Sequence, residues 1–295
     1  MSAKDLQASI LELVRRTSCD LPPDVEVVLK RSLRKEERDT TARYALQVIG
    51  QNIALAREKS LPICQDTGSL LFYVVAPKGF DQKAFRRAAD AAVKRATEVG
   101  YLRQNSVDSI TGKNSGTNLG PGSPVYHFEQ GSRKSVEVKL IQKGGGCENC
   151  GIQYALPYAP LKAGRDLVGV EKCILDAVYR AQGKGCAPGA LGVCIGGDRA
   201  TGYVHSKEQL LRPLDDKNEN RTLARLEAAV MKRANALGIG PMGFGGKTTL
   251  LGCKIGMLNR LPASYFVSVS YMCWAFRRRG CVLNSAGRVT RWLYE

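Results

Sequence analysis

The chain has 295 residues, ample for a buried core, and its hydrophobic fraction of 44% is that of a globular protein. No apolar run reaches the roughly 18 residues of a membrane-spanning helix. The opening MSAKDLQASILELVRR carries Asp5 and Glu12 where a secretory leader is basic and then apolar, so the expected setting is the cytoplasm. The net charge of +17, from 44 Lys and Arg against 27 Asp and Glu, favours anionic partners. Of the densest basic runs, 29–43 and 274–280, the first contains acids and reads as a solvated helical face. No aromatic-rich basic stretch or zinc-finger spacing is present, which leaves a nucleic-acid-binding or scaffold role as the remote alternative.

Apolar residues recur at three and four over 4–17 and 23–59, which predicts helices there. Residues 69–76 have strand composition. A helix is expected over 81–100, with Asp81 as its N-cap. The polar, Gly-rich segment 103–124 is long for a loop, a length usually tied to function or disorder. Strands are expected at 125–130 and 134–142, followed by the glycine turn KGGGCENCG over 143–151. Further on, 164–183 reads as a helix, 190–197 as a buried strand, 202–212 and 217–237 as helices, 238–252 as a glycine corner and 264–273 as a strand. Helices and strands mix without regular alternation and no domain boundary stands out. The expectation is therefore one α+β domain, 1–295, helix-rich over 1–60 and mixed over 61–295.

Three features carry chemistry. The stretch GFGGKTTL suggests a phosphate loop, but the glycine required five residues before Gly246 is Pro241 and the preceding segment is helical. Its glycines and Lys247 suit a carboxylate better. The pair Cys147 and Cys150 in CENC has the spacing of a redox pair or half a zinc site, with no second such pair and no matching histidines; a tight turn that happens to carry two thiols explains it equally well. Cys64, Cys186 and Cys273 each sit at a turn or strand end, 122 and 87 residues apart. Three such thiolates brought together would hold an iron–sulfur cluster; spacing alone leaves ordinary buried cysteine as the other reading.

The segments CQDTG (64–68), KGGGCEN (143–149), GCAPGALGVCIGGDRAT (185–201), LGIGPMGFGGKTT (237–249) and LPASYFVSVSYMCWAFRR (261–278) together resemble the α-subunit of the class I, iron–sulfur fumarate hydratase and L-tartrate dehydratase family. The resemblance implies a hydro-lyase that hydrates fumarate to malate, with tartrate dehydration as the alternative. It implies Cys64, Cys186 and Cys273 as ligands of a [4Fe–4S] cluster with one open iron, held among Gly-rich corners. It places Gln65 and Asp66 toward the substrate, Arg103 on a substrate carboxylate and Gly146 in a backbone contact to it. It also implies a β-subunit, a separate chain that completes the site. The chain departs from the family pattern in two segments: Leu261 stands where some members have histidine, and Cys147 and Cys150 stand where serine and another residue are more usual in the fumarate hydratase branch.

Overall fold

The computed structural model describes residues 1–295, which divide into two compact units. One comprises 1–23, 50–145 and 277–295, the other 24–49 and 146–276. No helix is long and apolar enough to cross a membrane.

The first unit is built on a five-stranded sheet of order β2-β1-β3-β8-β9. Its strands are β1 (Ser69–Ala76), β2 (Val125–Gln130), β3 (Val136–Lys143), β8 (Arg278–Leu283) and β9 (Val289–Leu293). β1 runs parallel to β2 and antiparallel to β3. A parallel pair needs a crossover, here α4 (Gln82–Glu98) and the polar segment after it. The Asp81 carboxylate accepts from the Ala84 amide and starts α4 where expected. Strand alternation puts Leu70, Phe72 and Val74 on one face with Val138 and Leu140. There they pack with Phe85, Ala89 and Val93 of α4 and with Leu6, Ile10 and Leu13 of α1 (Ala3–Cys19).

The second unit has a four-stranded sheet of order β4-β7-β5-β6: β4 (Ile152–Ala155), β5 (Gly189–Ile195), β6 (Leu250–Met257) and β7 (Phe266–Met272). On one face Leu191, Val193, Ile255 and Val269 form a core with α6 (Leu167–Ala181) and α8 (Arg221–Ala236). The other face is cut for close approach: a Cβ on Gly192 would lie 2.0 Å from the Ser206 carbonyl oxygen of α7 (Arg199–Gln209). Small residues in the middle of β5 therefore reflect contact with a helix backbone.

The structure departs from the sequence expectations in several places. The helix expected over 23–59 is two helices, α2 (Pro23–Lys35) and α3 (Thr41–Lys59). Between them Asp39 adopts φ 60°, and the Thr40 hydroxyl accepts from the Arg43 amide. Glu36 is not part of a solvated face: it is buried, and its carboxylate accepts from the Lys247 and Thr248 amides of the same unit. The glycine turn after β3 contains a short helix, α5 (Gly145–Asn149). Strands β4, β6, β8 and β9 were not anticipated. In the basic run 274–280, Arg277, Arg278 and Arg279 are all buried.

Candidate active site

The loop before β1 is anchored from behind. The Ile63 amide donates to the Ser18 carbonyl at 3.0 Å, and Asn52 Nδ2 donates to the Ile63 carbonyl at 2.9 Å. Cys64 follows, half-buried, and then Gln65, exposed. Asp66 is held from every side. Its carbonyl accepts from Arg277 Nη1 at 2.8 Å. Oδ1 accepts from the Gly68 amide at 2.9 Å and from Asn105 Nδ2 at 2.8 Å, and Oδ2 accepts from the Gly145 amide at 2.7 Å. A carboxylate offers about four lone-pair positions; these three bonds leave one on Oδ2. Gly68 must be glycine: φ is 75°, and a Cβ would lie 2.5 Å from the Lys143 carbonyl carbon.

Thr67 ties this loop to Arg103. The Thr67 hydroxyl donates to the Arg103 carbonyl at 2.9 Å and accepts from the Arg103 amide at 2.8 Å. The Arg103 side chain is exposed, and its guanidinium makes no hydrogen bond or ion pair within the chain. The first unit thus gathers Cys64, Gln65, Asp66 and Arg103 around one turn.

The second unit gathers thiols. Cys186 is half-buried and left-handed, with φ 51° and ψ 61°. Its carbonyl accepts from the Trp274 amide at 3.3 Å, which joins its turn to the end of β7. Gly185 and Gly189 lie on the Tyr271 ring: a Cβ on either would come within 2.4 Å of ring carbons. Burial pushes the Tyr271 phenol well up from its usual range, and the neighbouring thiols of Cys273, Cys147, Cys150 and Cys186 push it the same way. Cysteines from three parts of the chain therefore lie near one aromatic ring. Cys147 is buried on α5, and its sulfur accepts from the Cys273 amide at 3.2 Å. Glu148 beside it pairs with Lys207 at 2.6 Å. Gly146 is exposed at the start of α5.

All ten cysteines are thiols without a disulfide. No three His, Cys, Asp or Glu side chains stand close enough to share a single ion. An iron–sulfur cluster makes a different demand, since its cysteines bind separate irons and its own sulfides fill the space between. Soft thiol donors on glycine-cut turns fit such a group and offer little to a hard cation.

Lys247 follows the glycine corner whose Met242 amide donates to the Ala187 carbonyl at 2.8 Å. Its backbone amide is spent on Glu36, and its ammonium pairs with Glu37 at 2.9 Å. The carboxylate that this glycine corner seemed to invite is the chain's own Glu36. Leu261 is exposed before β7. Sequence reasoning passed over Thr67, Asn105, Asn118 and Arg277. Thr67 was visible only as part of CQDTG, and nothing local distinguishes the other three from ordinary loop or surface residues.

Over residues 7–282 the chain matches the model of the family described as fumarate hydratase (Fumerase). It is 51% identical over 294 residues to a Geobacillus stearothermophilus protein named as a class I fumarate hydratase, covering 98% of this chain and 57% of that protein. It is 32% identical over 274 residues to a Methanocaldococcus jannaschii protein named as an L(+)-tartrate dehydratase alpha subunit, covering 91% and 94%. It is 30% identical over 263 residues to the L(+)-tartrate dehydratase alpha subunit of Escherichia coli, covering 88% and 85%. The chain spans little more than half of the Geobacillus protein and nearly all of the Methanocaldococcus one.

Proposed function

Because this chain belongs to the fumarate hydratase family, we propose that it supplies the α part of a hydro-lyase that reversibly adds water across the double bond of a dicarboxylate. Fumarate to malate is the first reading, supported by the 51% identity to the Geobacillus protein. Tartrate to oxaloacetate is the second, supported by the two relatives named as tartrate dehydratase alpha subunits. Those names also support a β-subunit as the part that completes the catalytic unit.

The proposed cofactor is a [4Fe–4S] cluster held by Cys64, Cys186 and Cys273. When bound, it would supply a Lewis acid through an iron not held by cysteine. The cytoplasm, where thiols stay reduced, suits such a centre.

The observation that carries the reading is the bare guanidinium of Arg103, tied through Thr67 to the loop of Cys64 and Asp66. An unspent arginine fork is the group best matched to a carboxylate. Asp66 would hold the hydroxyl or water of the reacting pair on its one vacant acceptor position. Gln65, exposed beside it, can donate as well as accept. The Gly146 amide would face the second carboxylate and steady the charge that grows there as the C–H bond breaks. Lys247, engaged by Glu36 and Glu37, would serve its own loop.

The test is iron and sulfide analysis on protein purified without air, followed by assays of fumarate and of tartrate with the β part supplied. Near-stoichiometric cluster in the wild type and none in Cys186→Ser supports the ligand set. A chain that takes up no iron on reconstitution overturns it, and activity on neither substrate overturns the function.

A further inference from the structure

The segment 103–124 leaves α4 as a long polar stretch, and Arg103 opens it with its side chain in solvent. A residue so placed ordinarily wanders, and a ligand must order it on binding. Here the main chain of Arg103 is gripped from two sides by buried groups. On one side is Thr67, with no exposed surface, whose single hydroxyl both donates to the Arg103 carbonyl and accepts from its amide. On the other is Asn118, 2% exposed. Its Nδ2 donates to the same Arg103 carbonyl at 2.7 Å and to Thr97 Oγ1 at 3.0 Å, and its Oδ1 accepts from the Asn105 amide at 2.8 Å. Thr97 Oγ1 in turn donates to the Val93 carbonyl inside α4 at 2.9 Å. Asn118 sits at φ 60°, a conformation asparagine tolerates better than most residues.

We infer that Thr67 and Asn118 are the positioning residues of Arg103: they lock its backbone between α4 and the Cys64 loop, so that the guanidinium meets a substrate carboxylate already placed. The inference rests on the hydro-lyase reading and adds to it the part of the fold that sets substrate affinity. Neither residue touches substrate. Both act through the arginine, and the gain is preorganisation. The same clamp brings Asn105 to the Asp66 carboxylate, so one buried pair sets the arginine and one oxygen of the acid together.

Thr67→Val keeps the shape and deletes the hydroxyl; Thr67→Ser keeps the hydroxyl. In the complete catalytic unit, Thr67→Val raises KM for fumarate tenfold or more with kcat changed less than threefold, and Thr67→Ser restores the wild-type KM. Amide hydrogen exchange at 103–105 speeds up in Thr67→Val and not in Thr67→Ser. In an Arg103→Ala background, Thr67→Val adds no further rise in KM. Asn118→Ser is the second variant and behaves like Thr67→Val. Wild-type KM in both Thr67→Val and Asn118→Ser, or effects that multiply with Arg103→Ala, overturn the inference while leaving the hydro-lyase intact. A wild type without activity on any dicarboxylate overturns the function and the inference with it.

Discussion

The backbone amide of Cys273 points at the sulfur of Cys147, 3.2 Å away. Both residues are buried, so this amide has a sulfur where another protein would need an oxygen. Cys147 therefore fixes the main chain of a proposed cluster ligand, a structural use for this thiol of the CENC pair that needs neither zinc nor redox chemistry.

Cys147→Ala leaves that amide without its acceptor, at a cost of about 1–3 kcal/mol. Cys147→Ser keeps an acceptor and should lie closer to wild type. Thermal melts under argon read the stability. The rate of bleaching in air reads the cluster, and it should rise in the alanine variant. An alanine variant matching wild type in both would show that the contact carries no weight.

Asp66 gives a sharper case. One edge of its carboxylate takes the Gly68 amide and Asn105 Nδ2, and the other takes the Gly145 amide. Asp66→Asn must turn an NH2 group toward one of these edges, donor against donor. We expect a loss of roughly 1–3 kcal/mol in stability, and a large loss of kcat through the misplaced loop. Urea unfolding and steady-state kinetics measure the two. Full activity in this variant would remove Asp66 from the chemistry.

Glu36 and Lys247 should behave very differently. Removing the Glu36 carboxylate strands two amides in the 246–248 loop, so Glu36→Ala should cost about 2–5 kcal/mol. Lys247 pairs with Glu37 at the surface, both side chains more than half exposed. Such pairs contribute little, so Lys247→Ala should shift stability by about 0.5 kcal/mol or less and leave KM unchanged. A raised KM would restore Lys247 to the substrate.

The buried thiols predict an alkaline limit. Burial pushes Cys19, Cys194 and Cys281 up from 9.0 to about 12. The unfolded chain releases these protons from about pH 9, the folded chain only near 12. Between those values the unfolded state binds fewer protons, so stability falls as pH rises. The contribution is whole below pH 9 and lost above 12. Each thiol adds a slope of up to about 1.4 kcal/mol per pH unit. Urea midpoints at pH 8, 9 and 10 should show the decline, and Cys281→Ala should flatten it. Equal slopes in the two proteins would count against burial as the cause.

Local signals carried well where the physics is local. The Asp81 cap, the strand composition of 69–76 and the alternation within 134–142 need only their own neighbours, and they fall close to where expected. The break at 36–40 does not: Glu36 turns inward to amides 211 residues away, and no window around it contains that information. The arginines at 277–279 stood out only as a basic run, because their use is equally remote. Arg277 holds the Asp66 carbonyl, and Arg279 reaches the Leu21 carbonyl and the Asp20 carboxylate. Strand β4 is short and β8 opens on two arginines, and partners distant in sequence make them strands. In the candidate site, CQDTG and Arg103 were legible as motif residues. The hydroxyl that couples them was not, because its partner is 36 residues downstream.

The backbone passes between the two units four times, at 23/24, 49/50, 145/146 and 276/277. Neither unit is therefore a continuous piece of the gene. One protease cut cannot free either, and a recombination break anywhere from 24 to 276 leaves both products with a unit missing strands or helices. Two of the passes fall beside Gly146 and Cys273. The chain is thus inherited as one block.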